Sequence, residues 1–450
     1  MLCGYLWYYT GCTPKIRNVD LPIDSLQNFS YSGDANIPYE WWTSFEDPAL
    51  NMLVDSALNN NFDLTTIWYQ FREAEAVVDQ ESSFLWPEIE AAAQSAINRP
   101  EPDFAGGENL QLGLAAAYEI DLWGRIRSGI QAEKYRAQAS LADYRTGAIS
   151  LSAEIAITWY QLVATVNQLS LVEQQITTNE NIIRLIRARF GTGLISAVDI
   201  LRQMQLLEAT RDQKILLETN RGLLENQLAV LLGRQPQLAF DARIDSLPDL
   251  PPLPESGLPL ELVRRRPDIQ QAHHLLLAAD RDMATAVTSR YPRISLSFRL
   301  QQRSNDFSSL FQDWAYTIAG NLVAPLLYGG QLQAEVDRTE AVKYQRLYEY
   351  GQTVLIAFRE VEDALVQEMK YLERMDLLTR RLDLATKTND QLRLSFLNGL
   401  SNYLDVLVSL DQEQQLRRDL IAAKFVLVEN RIALYRALAG GFETEIQANQ

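Results

Sequence analysis

The chain has 450 residues, of which 58 are acidic and 41 basic, and its net charge is −17 at pH 7. This acidic excess speaks against nucleic-acid binding, because phosphates require a basic surface. No apolar run approaches the roughly 18 residues of a membrane-spanning helix, so we expect any membrane crossing to be made by strands. The two cysteines, Cys3 and Cys12, lie near the start of the chain, which excludes a disulfide framework or a zinc cluster.

The first residues have several features of a lipoprotein signal. Residues 2–9 are almost wholly apolar, and Thr10 and Gly11 form a small-residue junction before Cys12. No Lys or Arg precedes the apolar stretch, which departs from a secretory signal. We expect residues 1–11 to be a signal segment, Cys12 to carry the lipid (palmitate) and residues 12–48 to form an anchor. The alternative is an unmodified cysteine in an uncleaved tail.

Proline placement indicates where the long helices lie. All 16 prolines fall outside residues 125–235 and 326–450, and proline inside a helix breaks it. We expect one helix over residues 125–190, about 100 Å long at 1.5 Å per residue, and a counterpart after residue 326. Apolar residues repeat in both with the 3.5-residue period of a coiled-coil seam. They are Ile155, Trp159, Leu162, Val166, Leu169 and Ile176, then Val354, Phe358, Val361, Leu365, Leu372 and Met375.

Glycine-containing turns are expected to end both long helices. One turn is at residues 191–193 and the other at residues 398–399. Glycine takes the left-handed conformation that stops a helix at little cost. We therefore expect return helices over residues 197–232 and 402–438.

Four segments between the helices are predicted strands: residues 88–97, 110–119, 294–301 and 316–322. Polar and apolar residues alternate in each, so one face suits lipid or a core and the other suits water. In the clearest segment Ile294, Leu296, Phe298 and Leu300 oppose Ser295, Ser297, Arg299 and Gln301. These lengths fit an outer-membrane barrel, where about 9 to 11 tilted residues cross the bilayer. Alternation alone is also typical of a soluble, half-buried sheet.

Four aromatic residues favour the membrane interpretation. Trp86, Trp123, Tyr291 and Tyr328 lie where helix meets strand, and each precedes a proline or glycine. Amphipathic rings are enriched at membrane interfaces. Four strands cannot close a barrel, because closure takes about eight, so we expect the chain to oligomerise. A trimer would supply twelve strands.

The chain also contains an internal duplication with an offset of 205 or 206 residues. Phe190, Gly193, Leu194 and Asp199 return as Phe396, Gly399, Leu400 and Asp405. We expect a first repeat at residues 49–235 with a hairpin at 88–119, and a second at 260–438 with a hairpin at 293–322. A proline-rich linker at residues 236–259 joins them, and residues 439–450 form a tail. Two long copies are too few for a solenoid.

Five segments resemble the TolC-like outer-membrane efflux proteins, most closely the lipoprotein branch that serves resistance-nodulation-division pumps. They are residues 118–125, 264–269, 324–330, 358–365 and 402–407. The resemblance implies a mainly α homotrimer with a small β part, in which a 12-stranded outer-membrane barrel continues into a 12-helix periplasmic coiled-coil tunnel. It also implies a periplasmic adaptor and an inner-membrane pump as partners, and a belt formed by the linker and the chain ends.

The resemblance also implies where the functional residues lie. The adaptor would dock at the tunnel tip, on Gly193, Leu194, Ser196, Gly399, Leu400 and Ser401. The periplasmic gate would be built from Leu404, Asp405, Val408 and Asp411. Leu404, Val408 and Asp411 share one helix face, because they are spaced 4 and 3. Their alternative role is packing between helices.

No catalytic, cofactor or metal site is expected. His273 and His274 are adjacent and point about 100° apart on one helix, so they cannot share a metal ion. Glu119 and Asp121 are interpreted as lumen-facing charges, and residues 264–266 as a structural salt-bridge site near a helix start. The channel-tunnel that the resemblance implies would be a passive efflux duct for drugs or other small toxic solutes. The alternatives are a metal-ion duct and, in another class, a non-transporting coiled-coil scaffold.

Overall fold

The computed structural model describes residues 28–97, 108–236, 246–256, 259–304 and 308–438. The chain divides into two compact units. The described part of unit 1 lies within residues 67–143 and 268–353, and that of unit 2 within residues 25–66, 144–267 and 354–450. Each unit therefore draws on both halves of the chain.

The elements follow the same order in both halves. The first half contains a 3-10 helix (Trp41–Phe45), α1 (Pro48–Asn60), α2 (Phe62–Ser83), β1 (Glu88–Ile97), β2 (Glu108–Ile120), α3 (Arg125–Phe190) and α4 (Ala197–Leu231). The second half contains α5 (Pro259–Arg265), α6 (Pro267–Thr288), β3 (Arg293–Ser304), β4 (Ala315–Val323), α7 (Gln331–Leu397) and α8 (Tyr403–Leu438). The predicted mainly α fold with a small β part is confirmed.

The four strands of unit 1 form one antiparallel sheet in the order β1-β2-β3-β4. Cross-strand partners follow a continuous register, so Glu90, Ala115, Arg299 and Thr317 form one row across the sheet. All four predicted strands are confirmed. The outer ends of β2 and β3 are longer than predicted, because polar residues such as Gln302 and Ser304 extend the ladder.

On α3 the predicted coiled-coil seam is correct only for its first three positions. Ile155, Trp159 and Leu162 are buried on α3. Val166, Leu169 and Ile176 are only half-buried, and the buried positions that follow are Thr165, Val172, Gln175, Asn179, Ile183 and Ile186. On α7 the change comes after Leu365, because Leu372 is 49% exposed. Thr165, Val172, Asn179 and Ile186 again recur every seven residues, so the heptad period continues in a register shifted by three residues from Leu162, as after a three-residue insertion.

Unit 2 has the larger apolar core. An aromatic cluster stacks Trp41 on Tyr435 with ring centroids 5.6 Å apart, and Phe45 packs against Tyr160 at 5.4 Å. A second cluster joins α5, α7 and α8 through Leu262, Val361, Leu365, Leu434 and Leu438. These contacts hold α5 against α7 and α8.

Unit 1 packs its helices closely through small residues. Its buried positions include Ala132, Ala137, Ala139 and Ala142 on α3 and Ala278, Ala279, Ala284 and Ala286 on α6. Small side chains let helix backbones approach at short interaxial distances. Small side chains thus form much of the buried surface of α3 and α6, the helices next to the hairpins.

One helix among the described residues is long and apolar enough, by length and composition, to cross a membrane. It is α3, which contains a qualifying 18-residue stretch, so the expectation that no such run exists was wrong. Most of that stretch, 72%, is buried inside the protein. A core helix has the same composition, and one such helix is weak evidence for a span.

Candidate functional site

The sheet of unit 1 has two chemically different faces. The register places Ile89, Ala116, Phe298 and Ile318 in one row and Glu90, Ala115, Arg299 and Thr317 in the next. Because successive side chains of a strand point to opposite faces, the even-numbered apolar residues of β2, β3 and β4 share a face. Leu296 and Ser297 therefore lie on opposite faces, as predicted, and the same division into an apolar and a polar face extends across the whole sheet.

The apolar face is exposed rather than packed. Large side chains on it keep 38% to 73% of their area exposed: Ile89, Leu114, Leu296, Phe298, Tyr316, Ile318 and Leu322. A half-buried sheet of a soluble scaffold would cover such a face, because exposed apolar patches of this extent mark an interaction surface. On β3 the apolar face ends at Leu300, beyond which Gln302 and Ser304 are buried and the Gln302 amide donates to the carbonyl of Ser309 at 3.1 Å.

The four predicted interface aromatics lie at the inner ends of the strands. Trp86 is 75% exposed, Tyr328 50% and Tyr291 45%. Trp123 packs on Tyr291 with centroids 5.2 Å apart, and its indole N–H donates to the carbonyl of Pro292 at 2.8 Å. The two copies of the motif are thus joined where β2 ends and β3 begins.

Glycines after these aromatics turn the chain from strand into helix. Gly124 has a φ of 77° and Gly329 a φ of 58°, which a residue with a side chain rarely adopts. This explains why glycine follows Trp123 and Tyr328, as predicted from the sequence.

Of the two acidic residues interpreted as lumen-facing charges, Glu119 lies on the polar face of the sheet opposite Ser295, whereas the interpretation of Asp121 needs correction. Asp121 caps α3, because its carboxylate accepts hydrogen bonds from the amides of Ile126 at 3.1 Å and Arg127 at 3.0 Å. Its side chain is only 7% exposed. Glu119 pairs with Arg125 at 2.9 Å. The Asp121 carboxylate thus serves the N-terminus of α3, where orphan amides and the helix dipole favour negative charge.

The two helix turns of unit 2 are built alike. Gly193 and Gly399 have φ values of 79° and 75°. The amide of Leu194 donates to Arg189 O at 3.2 Å, and that of Leu400 donates to Ser395 O at 2.8 Å. Both are Schellman turns, in which the second residue after the helix closes onto the last helical turn. The predicted glycine stops are confirmed.

The residues predicted for adaptor docking lie at these turns. Leu194 is 71% exposed and Leu400 is 80% exposed. Ser196 caps α4 and forms a capping box with Asp199, whereas Ser401 donates to the carbonyl of Leu392 at 3.3 Å. The guanidinium of Arg189 donates to Phe396 O at 3.3 Å and Leu397 O at 3.2 Å, which joins the two turns.

The predicted gate residues share an exposed face at the start of α8. Leu404 is 42% exposed and Val408 48%, and Asp405 and Asp411 are exposed as well. The core of the chain takes the opposite face of this helix, including Tyr403 and Val406. Leu404 and Val408 therefore do not pack into the core of their own chain.

A buried polar ladder beside the gate residues was missed from the sequence. Tyr403 donates to Gln203 Oε1 at 2.6 Å, and Gln203 Nε2 donates to Asn179 Oδ1 at 3.1 Å. Gln414 Nε2 also donates to Asn179 Oδ1, at 3.3 Å, and Gln175 Nε2 donates to Gln414 O at 3.0 Å. The ladder joins α3, α4 and α8. The sequence feature that could have indicated this ladder is the polar pair Gln175 and Asn179 within an apolar seam. Polar residues at such positions fix the register of packed helices.

Burial, and then the nearby Asp199 carboxylate, raise the pKa of the Tyr403 phenol well above its ordinary value of 10.0. The phenol therefore stays protonated at physiological pH and remains the donor to Gln203. This contact ties the first turn of α8, which carries Leu404, to α4.

The remaining predicted positions have structural roles. Arg266 pairs with Glu360 at 2.8 Å and donates to the carbonyl of Ala437 at 3.0 Å, so a salt-bridge role is confirmed there. His273 and His274 have ring centroids 6.0 Å apart. Among the described residues, no group of His, Cys, Asp or Glu is arranged to hold a metal ion. Cys12, the predicted lipid site, lies outside the described residues.

The sequence and structure match known outer-membrane proteins. The model of the family described as "Outer membrane efflux protein" matches residues 53–234 and 258–440. The pyoverdine export outer membrane protein OpmQ of Pseudomonas aeruginosa is 29% identical over 97% of this chain and 95% of its own length. The cation efflux system protein CusC of Escherichia coli O6:H1 is 27% identical over 96% of both chains.

The fold agrees with these matches. The solved structure of the outer-membrane channel OprN superposes with a TM-score of 0.88 at 26% identity, covering 95% of this chain and 98% of the other. Its agreement extends over both halves of the chain and both units. The chain belongs to the outer membrane efflux protein family and is an outer-membrane channel of a tripartite efflux system.

Proposed function

We propose that three copies of the chain close a 12-stranded barrel in the outer membrane and passively conduct drugs or other small toxic solutes, with no catalytic step. The exposed apolar face of the sheet is the observation that supports this proposal. β1 and β4 each have a free edge, and an open edge with an apolar face is an aggregation hazard unless it is paired. Pairing β4 of one copy with β1 of the next removes every edge.

Two substitutions on neighbouring residues test this orientation. Lys in place of Leu296 puts a charge on the lipid face and should cost about 2 to 4 kcal/mol near the bilayer midplane. Ser297→Lys is the matched control, because it places the same charge on the opposite face of the same strand. We expect Ser297→Lys to fold and to change the conductance in planar bilayers, and Leu296→Lys to accumulate poorly in the outer membrane. Equal tolerance of the two would refute the barrel.

We further propose that the two turns of unit 2 dock a periplasmic adaptor, which links the channel to an inner-membrane pump. Exposed leucines on tight turns support this assignment, because an isolated channel gains nothing from placing Leu194 and Leu400 in water. The docking surface consists of Gly193, Leu194, Ser196, Gly399, Leu400 and Ser401.

The gate is assigned to the exposed face of α8. In a trimer, Leu404 and Val408 would supply three apolar side chains per level, and Asp411 would add an acidic ring. A narrow apolar constriction closes to water and ions by dewetting. The contact of Tyr403 with Gln203 would hold this face in place.

The proposal also covers the chain's organisation. It takes residues 49–235 and 260–438 as two repeats, residues 236–259 as a belt around them, and Cys12 as the lipid anchor. A metal-ion duct is the second candidate, supported by the match to a cation efflux protein. Loss of resistance to transition-metal salts, with unchanged drug resistance, in cells lacking the protein would favour that candidate.

A further inference from the structure

The polar face of the sheet is charged in a simple pattern. On β1 the side chains of this face are Glu88, Glu90, Ala92 and Gln94, and on β3 they are Arg293, Ser295, Ser297, Arg299, Gln301 and Arg303. Between them, β2 presents Gln111, Gly113, Ala115 and Ala117 before the paired Glu119. On the far side, β4 presents Ala315, Thr317, Ala319 and Asn321. The acidic charges thus lie on β1 and the basic charges on β3.

A cleft lies between the two charged strands. It has a volume of about 390 Å³, and its lining includes Glu88, Glu90, Ala115, Ala117 and Arg299. Neighbouring strands are about 4.8 Å apart, so the backbones of β1 and β3 are about 10 Å apart across β2. The alanines of β2 leave this space open, because their side chains are shorter than those on either side.

The opposite charges of the cleft do not neutralise each other in an ion pair. Among the described residues, Glu90 and Arg299 share a row of the sheet but form no ion pair. By contrast, Arg303 is hydrogen-bonded to β2, because its Nε donates to the side-chain oxygen of Gln111 at 2.8 Å. Arg299 is therefore the cation available to the cleft, and Glu90 faces it at the same level.

We propose that this cleft is a binding site for zwitterionic solutes, with Glu90 binding the cationic group and Arg299 the anionic group. A solute whose two charges are separated by about the distance from β1 to β3 can pair with both Glu90 and Arg299. A singly charged solute leaves one of these two residues unpaired. At 0.15 M ionic strength the Debye length is about 8 Å, so each wall acts mainly on the group nearest to it. The inference rests on the proposed channel only in that the cleft then faces the conducted solution.

The site can be tested with a cysteine at its floor. Ala115→Cys places a thiol between the two walls, and its reaction with N-ethylmaleimide, an uncharged reagent, reports occupancy of the cleft in proteoliposomes. The unsubstituted protein, whose cysteines are Cys3 and Cys12, gives the background rate. The probe is 6-aminohexanoic acid, and hexylamine and hexanoic acid are the controls with one charge each.

We expect 6-aminohexanoic acid at about 30 mM to slow the labelling about fourfold, since a ligand of this size binds with a Kd on the order of 10 mM. Hexylamine and hexanoic acid should slow it much less. Glu90→Gln or Arg299→Gln should each abolish the protection, and the exchanged pair Glu90→Arg with Arg299→Glu should restore it. No protection, or equal protection by all three compounds, would overturn the proposal.

A second thiol separates this result from a failure of the channel itself. Leu296→Cys lies on the apolar face and should resist N-ethylsulfonate maleimide, a membrane-impermeant reagent, if that face contacts lipid. Rapid labelling at Leu296→Cys would refute the barrel while leaving the protection at Ala115→Cys interpretable. Slow labelling there, with no protection at Ala115→Cys, would refute the cleft alone.

Discussion

Replacing Arg431 tests how much its buried ion pair contributes to the stability of unit 2. Arg431 and Glu368 form an ion pair with side chains 3% and 5% exposed. The Nε of Arg431 donates to Glu368 Oε2 at 2.8 Å, and Nη1 donates to the carbonyl of Pro252 at 2.9 Å. Arg431→Met removes these donors and leaves a buried carboxylate without its partner. Breaking a buried pair in this way costs about 3 to 5 kcal/mol.

The expected change in melting temperature follows from the size of the chain. At about 2.1 cal/mol/K per residue, 450 residues have an unfolding entropy of about 0.95 kcal/mol/K, so the loss corresponds to about 3 to 5 °C. Circular dichroism of the protein in detergent would measure it. Arg380→Met is the matched control, because the pair of Arg380 with Asp376 is more than 60% exposed on both sides. Such surface pairs contribute about 0 to 1 kcal/mol.

A double variant decides whether charge is the cause. Arg431→Met with Glu368→Met removes the orphaned carboxylate and should recover part of the loss, since buried pairs can be replaced by apolar residues at little cost. Recovery should be incomplete, because the carbonyls of Pro251 and Pro252 lose their donor. A double variant less stable than Arg431→Met would refute the reasoning.

Three further outcomes are expected. Leu404→Ser with Val408→Ser should raise the single-channel conductance in planar bilayers at unchanged expression, because a polar ring no longer dewets. Leu194→Asp with Leu400→Asp should abolish drug efflux from cells while the trimer stays intact on native gels. Burial lowers the pKa of His274 below its ordinary value of 6.5, so stability should fall as the pH drops through about 6.5, and His274→Asn should lessen the loss of melting temperature between pH 7.5 and 5.

Each of these has a refuting result, and the tip variant also has a control. Conductance equal to the parent in the gate variant would place the constriction elsewhere. For the tips, Thr192→Asp with Asn398→Asp adds the same charge without removing a leucine, and it should keep efflux; full resistance in the leucine variant would refute the docking surface. An unchanged pH dependence in His274→Asn would mean that the acid sensitivity comes from another group.

Local signals allowed most of the fold to be predicted. The ends of α3 followed from Gly124 and the glycine turn after Phe190, and the strands followed from alternation. The shift in register of the seam beyond Leu162 could not be predicted from apolar residues alone, because the buried positions that follow include the polar residues Thr165, Gln175 and Asn179. The outer end of β3 was cut short because its last residues are polar and resemble a loop.

Contacts between distant segments were the hardest to predict. The ladder that joins Asn179 to Gln414 spans 235 residues of sequence, and only the fold brings the two amides together. Asp121 was placed in the lumen because its spacing on a strand points there, yet the strand ends at Ile120 and the carboxylate turns to cap α3. The alternation of a strand does not extend beyond its last residue, so it could not predict the orientation of this side chain.

The boundary at Leu300 has a consequence for how deeply the protein sits in its bilayer. From Ile294 to Leu300 the apolar face of β3 extends about 20 Å along the strand, or about 15 Å along the membrane normal at a tilt of about 40°, and the flanking aromatics extend it toward the roughly 25 Å band of outer-membrane barrels. Tyr291 lies at one end of this band, and Trp314 and Tyr316 at the other. Immersion depth is therefore encoded in the strands, and a lipid on Cys12 would act as a tether whose removal leaves the barrel at the same height.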